Sequence, residues 1–253
     1  MKRPILALII PIYFEEKNIE SLFTMIESYI KIPVKIYFIY DSIDDPTITE
    51  IKNQEKRFKS SIELLQNKYG SGALNAIKTG FESFSEEACV VIMADGSDDL
   101  STINGMYGLF CQGFHIVCGS RYMRNGKQIG GHWFKKTLSS LAGKSLYWLT
   151  KIPTHDVTNS FKLYTREVLN NITFESTGGF EIGMEIVVKA HLMNYAISEV
   201  PSIWNDRYEG TSKFRLWAWL PKYIKWYLFL IFKSIKLNSR ADVDYNQIRP
   251  VGY

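Results

Sequence analysis

The stretch Val90–Asp99, which reads VVIMADGSDD, decides the fold class because an unbroken apolar run ends abruptly in carboxylates. Such a run is typical of a strand that is covered on both faces. Similar runs occupy Ile5–Pro11, Val34–Tyr40 and Ile116–Cys118. Between the first two, Asn18–Ile30 carries one helical stripe of apolar side chains. Strands that alternate with helices predict an α/β fold with a mainly parallel, Rossmann-like sheet and helices on both faces.

The periodicity of the rest of the chain indicates its domain organisation. Further helices are predicted at Lys52–Lys59, Ala73–Phe84, Lys135–Thr150 and Phe180–Met193, and a strand at Ala196–Ile203. A pair of basic, aromatic, amphipathic helices follows and is broken by Pro221. We therefore divide the chain into an α/β domain over residues 1–215, amphipathic helices over 216–237 and a polar tail over 238–253.

The composition of the chain limits the kinds of molecule that we expect it to bind. The 253 residues suffice for one large domain, and the net charge of +4 is too small to indicate nucleic-acid binding. Cys89, Cys111 and Cys118 lack the spacing of a zinc site or of a disulfide framework. We predict that they are buried free thiols in a reducing compartment.

No secretion signal and no membrane-spanning segment is predicted. The opening apolar run has no cleavage-type sequence behind it. The most apolar late stretch, Tyr223–Ile235, contains two lysines and is shorter than the roughly 20 residues of a spanning helix. We expect a cytoplasmic protein whose basic, aromatic segment Leu216–Leu237 lies on a membrane surface. The alternative is that these aromatic residues pack onto the α/β domain as a closing helix or form a dimer contact.

Three predicted strand ends carry carboxylates, at Pro11–Glu16, Asp41–Asp45 and Asp95–Asp99. In parallel sheets, ligands bind beyond the carboxyl ends of the strands. Asp95 directly follows a buried strand and suits a divalent cation that bridges two phosphates. The alternative is an acidic loop that caps the next helix, which fits Asp98 and Asp99.

Two further features suit a nucleotide. Asp41 can accept hydrogen bonds from a nucleobase edge or a ribose, although Asp44 and Asp45 beside it are also typical of a turn. Gly70 and Gly72 precede a predicted helix, where backbone N–H groups can approach an anion. A sharp strand-to-helix turn would use the same glycines.

Three cations lie on predicted loops: Arg121, Arg207 and Lys213. Guanidinium and ammonium groups bind phosphate well, and arginine can do so through two parallel hydrogen bonds. The alternative is that these side chains are simply solvated.

Polar side chains also interrupt apolar flanks at His155–Lys162. This run is either a hydrogen-bonded structural turn or part of an acceptor site in which Asp156 acts as base or orienter. Glu181 and Glu185 lie one helical turn apart and form either a cleft wall or a structural pair.

Taken in order, these motifs resemble glycosyltransferase family 2, and most of all its dolichyl- and polyprenyl-phosphate sugar synthases, from about Ile5 to Phe214. The family's opening Pro-x-Tyr-Asn-Glu corresponds to Pro11-Ile12-Tyr13-Phe14-Glu15. The glycine turn, the Asp-x-Asp region, Gly-Ser-Arg-Tyr, Asp-x-Thr-x-x-Phe and Arg…Gly-x-Ser-Lys follow in the family's order. This chain has Phe14 where the family usually has Asn, Tyr40 in place of the first aspartate of a pair, and Met93 in place of the first aspartate of Asp-x-Asp.

The resemblance implies a GT-A fold, a nucleotide-sugar donor and Mg²⁺ or Mn²⁺. It assigns the nucleoside to Pro11, Tyr13, Glu15 and Asp41, and the diphosphate to the neighbourhood of Ala94 and Asp95, with the metal ion on Asp95. Ser97 stands where relatives offer a second metal ligand, and Arg121, Arg207 and Lys213 would hold phosphates of donor or acceptor.

The reaction implied is inverting transfer of a hexosyl group from the nucleotide sugar to a polyprenyl- or dolichyl-phosphate lipid. A phosphate oxygen is already ionised and needs no strong base, whereas a saccharide acceptor would need one, and Asp156 is then the candidate. Three alternatives stay open: a family 2 enzyme acting on a saccharide in surface polysaccharide synthesis, a nucleotidyltransferase, and a non-catalytic nucleotide-sugar-binding protein. The nucleotidyltransferase alternative lacks support because no glycine-rich loop with Lys or Arg follows the first strand.

Overall fold

The computed structural model describes residues 6–58, 60–206 and 216–247. The strands are β1 (Leu6–Ile12), β2 (Val34–Tyr40), β3 (Ser61–Gln66), β4 (Ala88–Val91), β5 (Ile116–Ser120), β6 (Lys127–Ile129), β7 (Lys162–Thr165), β8 (Ile197–Pro201) and β9 (Ile203–Asn205). The helices are α1 (Glu16–Tyr29), α2 (Pro46–Glu55), α3 (Ala73–Ser83), α4 (Thr102–Cys111), α5 (Trp133–Thr150), α6 (Arg166–Asn171), α7 (Ile182–Leu192) and α8 (Leu216–Gln247).

Seven strands form one sheet in the order β3-β2-β1-β4-β7-β5-β8, and β6 and β9 pair separately. All neighbours in the large sheet are parallel except β7, which runs antiparallel between β4 and β5. The carboxyl ends of the six parallel strands therefore meet at one edge, and β7 begins at that edge. Helices α1, α2 and α4 bury one face of the sheet, while α3, α6, α7 and α8 bury the other. The predicted mainly parallel α/β fold with helices on both faces is confirmed.

The C-terminal segment differs from the prediction. Instead of two helices broken by Pro221, one helix runs from Leu216 to Gln247 with the proline inside it. Pro221 lacks an N–H, but it lies near the start of the helix and removes only one intrahelical hydrogen bond. The helix crosses the predicted boundary between residues 237 and 238, and residues 248–253 lie outside the described residues.

Three other predictions need correction. Helix α2 begins at Pro46 instead of Lys52, because the Asp45 side chain accepts a hydrogen bond from the Thr47 N–H and caps the helix there. Strand β7 was not predicted, since Lys162 belongs to the polar run that reads as a turn and only residues 163–165 remain beyond it. Cys89 and Cys118 are buried free thiols as predicted, but Cys111 is exposed.

Gly143 of α5 permits a close approach between this helix and the segment that carries Asp156. A Cβ atom at residue 143 would overlap the backbone carbonyl oxygen of His155. We expect Gly143→Ala to lower the free energy of unfolding by about 1–3 kcal/mol, because backbone must move to relieve the overlap. Gly108→Ala in α4 is the matched control, since a Cβ there meets nothing within 4 Å and alanine favours a helix. Urea unfolding of both variants measures the difference, and equal stability of the two would contradict the close approach.

Candidate functional site

Asp95 lies in the loop that follows β4, at the edge where the parallel strands end. Its carboxylate is largely buried, and its Oδ1 atom accepts a hydrogen bond of 3.1 Å from the Ser97 N–H. The loop is tied to β9, because the Asn205 N–H donates to the Ser97 carbonyl oxygen at 3.0 Å. The position of Asp95 is thus fixed by backbone contacts from both sides of the loop.

The two following aspartates have different roles. Asp99 caps the turn that leads into α4 by accepting hydrogen bonds from the backbone N–H and the hydroxyl of Ser101. Asp98, by contrast, is buried and accepts a hydrogen bond of 3.0 Å from the Met93 N–H. Burial, with the nearby Asp95 charge, raises the pKa of Asp98 to about 7. Of the two residues that fit a capping loop, only Asp99 is a cap.

The donor set around Asp95 fits one particular kind of metal site. Across residues 6–58, 60–206 and 216–247, no group of three or more His, Cys, Asp or Glu side chains is placed to hold a metal ion. A cage made only of protein ligands is therefore not formed by these residues. Mg²⁺ in phosphate-transfer sites is commonly held by one or two carboxylates together with phosphate oxygens. Asp95, with Ser97 beside it, fits that second arrangement.

Arg121 follows β5 and forms a buried ion pair with Asp156. Its Nε and Nη2 atoms donate to the two carboxylate oxygens at 2.7 Å and 2.9 Å, and its backbone N–H donates to Oδ2 at 3.0 Å. Burial opposes both charges, but mutual attraction outweighs it, so the pKa of Arg121 lies above and that of Asp156 below its ordinary value. Asp156 is fully buried, and both of its oxygens are occupied. This geometry favours the orienting role over the role of a base.

Helix α5 and the turn that carries Asp156 hold the Arg121 guanidinium in a fixed direction. Its Nη2 atom also donates to the hydroxyls of Ser139 on α5 and Thr158, which contact each other. Lys162, fully buried at the start of β7, donates to the carbonyl oxygens of Val157 and Asn159 and so supports the same turn from below. Burial lowers the pKa of Lys162. Among the described residues, no hydrogen bond uses the Nη1 atom of Arg121.

Asp41, which is assigned to the nucleoside, lies beyond the end of β2, and the glycine turn lies beyond the end of β3. Asp41 accepts hydrogen bonds from Asn67 Nδ2 at 2.8 Å and from the Gly72 N–H at 2.9 Å. Gly70 and Gly72 have φ values of 84° and 119°, which only glycine adopts readily. Asp41 therefore organises the glycine turn before α3, a contact that its position in the sequence does not reveal.

The remaining residues assigned to the donor occupy the same edge. Pro11 lies in β1, and Tyr13 and Glu15 follow it, with Tyr13 about half exposed. Ala94 is buried directly before Asp95. Arg207 and Lys213 lie outside the described residues.

A cavity of about 660 Å³ opens at this edge and has both polar and apolar side chains in its lining. Its polar lining includes Asp95, Ser97, Arg121 and Asp206. Side chains of α5 and α8 also line it, among them Leu138, Leu141, Ala142, Leu220, Ile224 and Tyr227. The structure thus brings Asp95, Ser97 and Arg121 to one cavity.

Two parts of this cavity were not predicted from the sequence. The only indication of Asp206 in the sequence was its position directly before Arg207. Helix α5 contributes apolar side chains, but nothing in its sequence marks them as lining a cavity. Glu181 and Glu185 form the structural pair: both are fully buried and accept backbone N–H groups of the 175–179 loop.

Known structures show which fold this chain has, and known sequences show to which family it belongs. The chain has the GT-A fold. Two solved structures have the same fold, and at their low sequence identity to this chain they show the fold alone. Glucosyl-3-phosphoglycerate synthase from Mycobacterium tuberculosis, in complex with Mn²⁺, uridine diphosphate and glucosyl-3-phosphoglycerate, has a TM-score of 0.64 at 15% identity, covering 92% of this chain and 80% of that chain. A mannosyltransferase from Pyrobaculum calidifontis, in complex with GDP-Man and Mn²⁺, has a TM-score of 0.60 at 16% identity, covering 84% and 59%.

The sequence model of Glycosyl transferase family 2 matches residues 7–173, and the chain belongs to this family. Dolichol-phosphate mannosyltransferase of Pyrococcus furiosus is 27% identical over 241 residues, which cover 93% of this chain and 65% of that protein. Polyprenol monophosphomannose synthase of Mycolicibacterium smegmatis is 27% identical over 122 residues, 47% of this chain and 46% of that protein. The chain thus aligns with roughly half to two-thirds of the length of these curated relatives.

Proposed function

We propose that the protein transfers a hexosyl group, with inversion, from a nucleotide sugar to a polyprenyl- or dolichyl-phosphate lipid. The observation that carries this proposal is the cavity that joins Asp95 and Arg121 to the apolar side chains of α5 and α8. A lipid phosphate has the same two parts, a charged head and a hydrocarbon tail. The names of the curated relatives, which refer to dolichol phosphate and polyprenol, support the same acceptor class.

The side chains suit such a transfer without a general base. An acceptor phosphate oxygen attacks the anomeric carbon, a new C–O bond forms there, and the bond to the departing nucleoside diphosphate breaks. Because the attacking oxygen is already ionised, no proton has to be removed. Arg121, oriented by Asp156, presents its guanidinium edge to the cavity and can hold a phosphate there, with Arg207 and Lys213 as further candidates.

Asp95, together with Ser97, would hold Mg²⁺ or Mn²⁺ against the diphosphate of the donor. When bound, such an ion neutralises the charge that develops on the leaving nucleoside diphosphate. Asp41, Gly70 and Gly72 would support the nucleoside and phosphates from the ends of β2 and β3. The structures with UDP or GDP-Man and Mn²⁺ are consistent with a donor of this class.

A labelled panel tests the reaction class and the acceptor together. The protein is incubated with UDP-, GDP- and other nucleotide sugars, Mg²⁺ or Mn²⁺, and a membrane lipid extract, and label is then followed into the organic phase. We expect one donor to give a metal-dependent glycolipid. Label that stays in the aqueous phase on a saccharide would favour the polysaccharide alternative, and donor binding without any transfer would favour a non-catalytic protein.

We also propose that α5 and α8 rest on the cytoplasmic face of a membrane. Within the part of the chain that the structure describes, no helix is long and apolar enough to span a bilayer. Several of the aromatic residues expected at the membrane instead pack inward, as Trp226 does in the core. The exposed apolar side chains of these helices are Trp133, Leu141, Trp148, Leu149, Ile224, Leu228, Phe232 and Ile235. Those of α8 fall within the predicted segment Leu216–Leu237, whereas those of α5 were not predicted.

This apolar set is suited to the interface of a bilayer. Helix α5 has no acidic residue, and Lys144 and Lys233 are exposed on α5 and α8, where they can reach anionic lipid phosphates. Apolar side chains of the same two helices line the cavity. A lipid acceptor would therefore enter the cavity from the surface that touches its membrane.

Vesicle binding provides the test of this surface. We expect the protein to sediment with anionic vesicles at low salt and much less with neutral ones. Trp148 and Phe232 are 69% and 67% exposed, and changing both to Ser should weaken partitioning roughly 100-fold, because two large apolar side chains are lost from the contact. Tyr29→Ser, an exposed aromatic on α1 outside this surface, is the matched control. Unchanged sedimentation of the double variant would contradict the proposed surface.

A further inference from the structure

Phe14 has a backbone conformation that is unusual for an aromatic residue. Four described non-glycine residues have positive φ, namely Phe14, Asn125, Lys151 and Asn194. Asparagine tolerates this region, and Lys151 ends helix α5 in the left-handed cap conformation. Phe14, with φ of 54°, instead lies directly after β1, among the residues assigned to the nucleoside. A bulky side chain at such an angle is strained, and strained residues of this kind cluster at ligand sites.

Helix α2 imposes this conformation from outside. The Phe14 N–H donates to Asp45 Oδ2 at 2.9 Å, and the next N–H, that of Glu15, donates to Thr47 Oγ1 at 2.9 Å. Asp45 and Thr47 are both buried. Two consecutive backbone groups are therefore fastened to the first turn of α2, which outweighs the preference of the phenylalanine itself.

The ring that is held in this way is left in solvent. Phe14 is 54% exposed and its neighbour Tyr13 is 48% exposed. The two rings meet edge to face, with centroids 4.9 Å apart and planes at 86°. They form a rigid right-angled corner at the end of β1, next to the end of β2 where Asp41 lies.

The resemblance already assigns the nucleoside to Tyr13 and Asp41 beside this corner, and we propose that the Phe14 ring is a further contact of the nucleobase and a specificity-determining residue for it. This inference rests on the proposed nucleotide-sugar donor. A nucleobase has two flat apolar faces and a polar edge, so one ring can stack on a face while the other contacts the side of the base. The carboxylate of Asp41 is placed at the neighbouring strand end to accept from the polar edge. Because the resembling family usually has Asn at this position, the second ring is a property of this chain.

Binding of free nucleoside diphosphates tests the corner. UDP, GDP, CDP and ADP, each with Mg²⁺, are titrated into the full chain and into Phe14→Asn and Phe14→Leu by calorimetry. We expect affinity for the preferred diphosphate to fall about 10-fold or more in both variants, since base–aromatic stacking is worth this much. The ratio between the best and the worst nucleobase should fall as well. Tyr29→Asn, which changes an exposed aromatic residue at the far end of α1, should bind as the unmodified protein does.

A stability measurement separates this role from a structural one. Asn tolerates the left-handed region, so Phe14→Asn should raise Tm by about 2–4 °C while it weakens binding. Unchanged affinity and unchanged base preference in Phe14→Leu and Phe14→Asn would overturn the role of Phe14 and leave the proposed function intact. If the unmodified protein binds no nucleoside diphosphate with Mg²⁺ or Mn²⁺, the proposed function itself is contradicted.

Discussion

Asp95→Asn is expected to lower turnover by about 100-fold or more while the fold stays intact. The substitution keeps the volume and the oxygen that accepts from the Ser97 N–H, so the loop after β4 retains its internal contact. It removes the charge that would hold the divalent cation against the diphosphate. Among the described residues, no three-membered group of metal-ligating side chains stands ready to replace it.

The matched control is Asp99→Asn in the same acidic run. Asp99 caps the turn before α4 through Ser101, and Asn is an equally good cap, so turnover should stay within about two-fold and stability within about 0.5 kcal/mol. Initial rates at saturating Mg²⁺ and Mn²⁺, together with thermal unfolding, measure both effects. Near-normal turnover of Asp95→Asn at saturating metal would rule out its assignment.

Asp156→Ala should cost about 3–5 kcal/mol of folding free energy and remove turnover as well. It leaves the Arg121 guanidinium, which is only 11% exposed, without the carboxylate that pairs with it. In the unmodified protein, the pair contributes stability at pH values above the ordinary range of Asp, and this is lost as the pH falls through the lowered pKa of Asp156. Urea unfolding at pH 7 and at acidic pH measures both effects, and the variant should show less of the acid dependence.

A double variant separates folding from function at this pair. Arg121→Met with Asp156→Leu replaces both charges by apolar groups of similar size, and such replacements of buried pairs are often neutral. We expect it to recover most of the stability lost in Asp156→Ala and none of the turnover, because the phosphate-binding guanidinium is absent. Substantial turnover in the double variant would contradict the role given to Arg121.

The sequence was most informative where one type of residue determines the local structure. The apolar runs that became β1, β2, β4 and β5 gave the parallel sheet, since strands buried on both faces show no alternation. The same runs located the strand ends, and with them Asp41 and Asp95. Strand β7 was not predicted because it has only four residues and one of them is the buried Lys162. The burial of this lysine depends on carbonyl groups of the turn before the strand.

What the sequence left open depends on contacts between distant residues. Asp156 was equally a base or an orienter until its pairing with Arg121, 35 residues away, showed both oxygens occupied. The direction in which α8 faces was also undetermined, because lysines and aromatic residues occur all around it. Packing of Trp226 and Leu230 into the core leaves Leu228 and Phe232 exposed, whereas the sequence pattern did not distinguish between these four residues.

The acceptor is tested most directly with three defined compounds and the preferred nucleotide sugar, in the presence of Mg²⁺ or Mn²⁺. They are a polyprenyl phosphate, the same polyprenol without its phosphate, and a water-soluble saccharide. We predict a glycosylated product from the polyprenyl phosphate alone, because the cavity is lined both by Arg121 and by apolar side chains of α5 and α8. Transfer to the saccharide, with none to the polyprenyl phosphate, would contradict a lipid-phosphate acceptor.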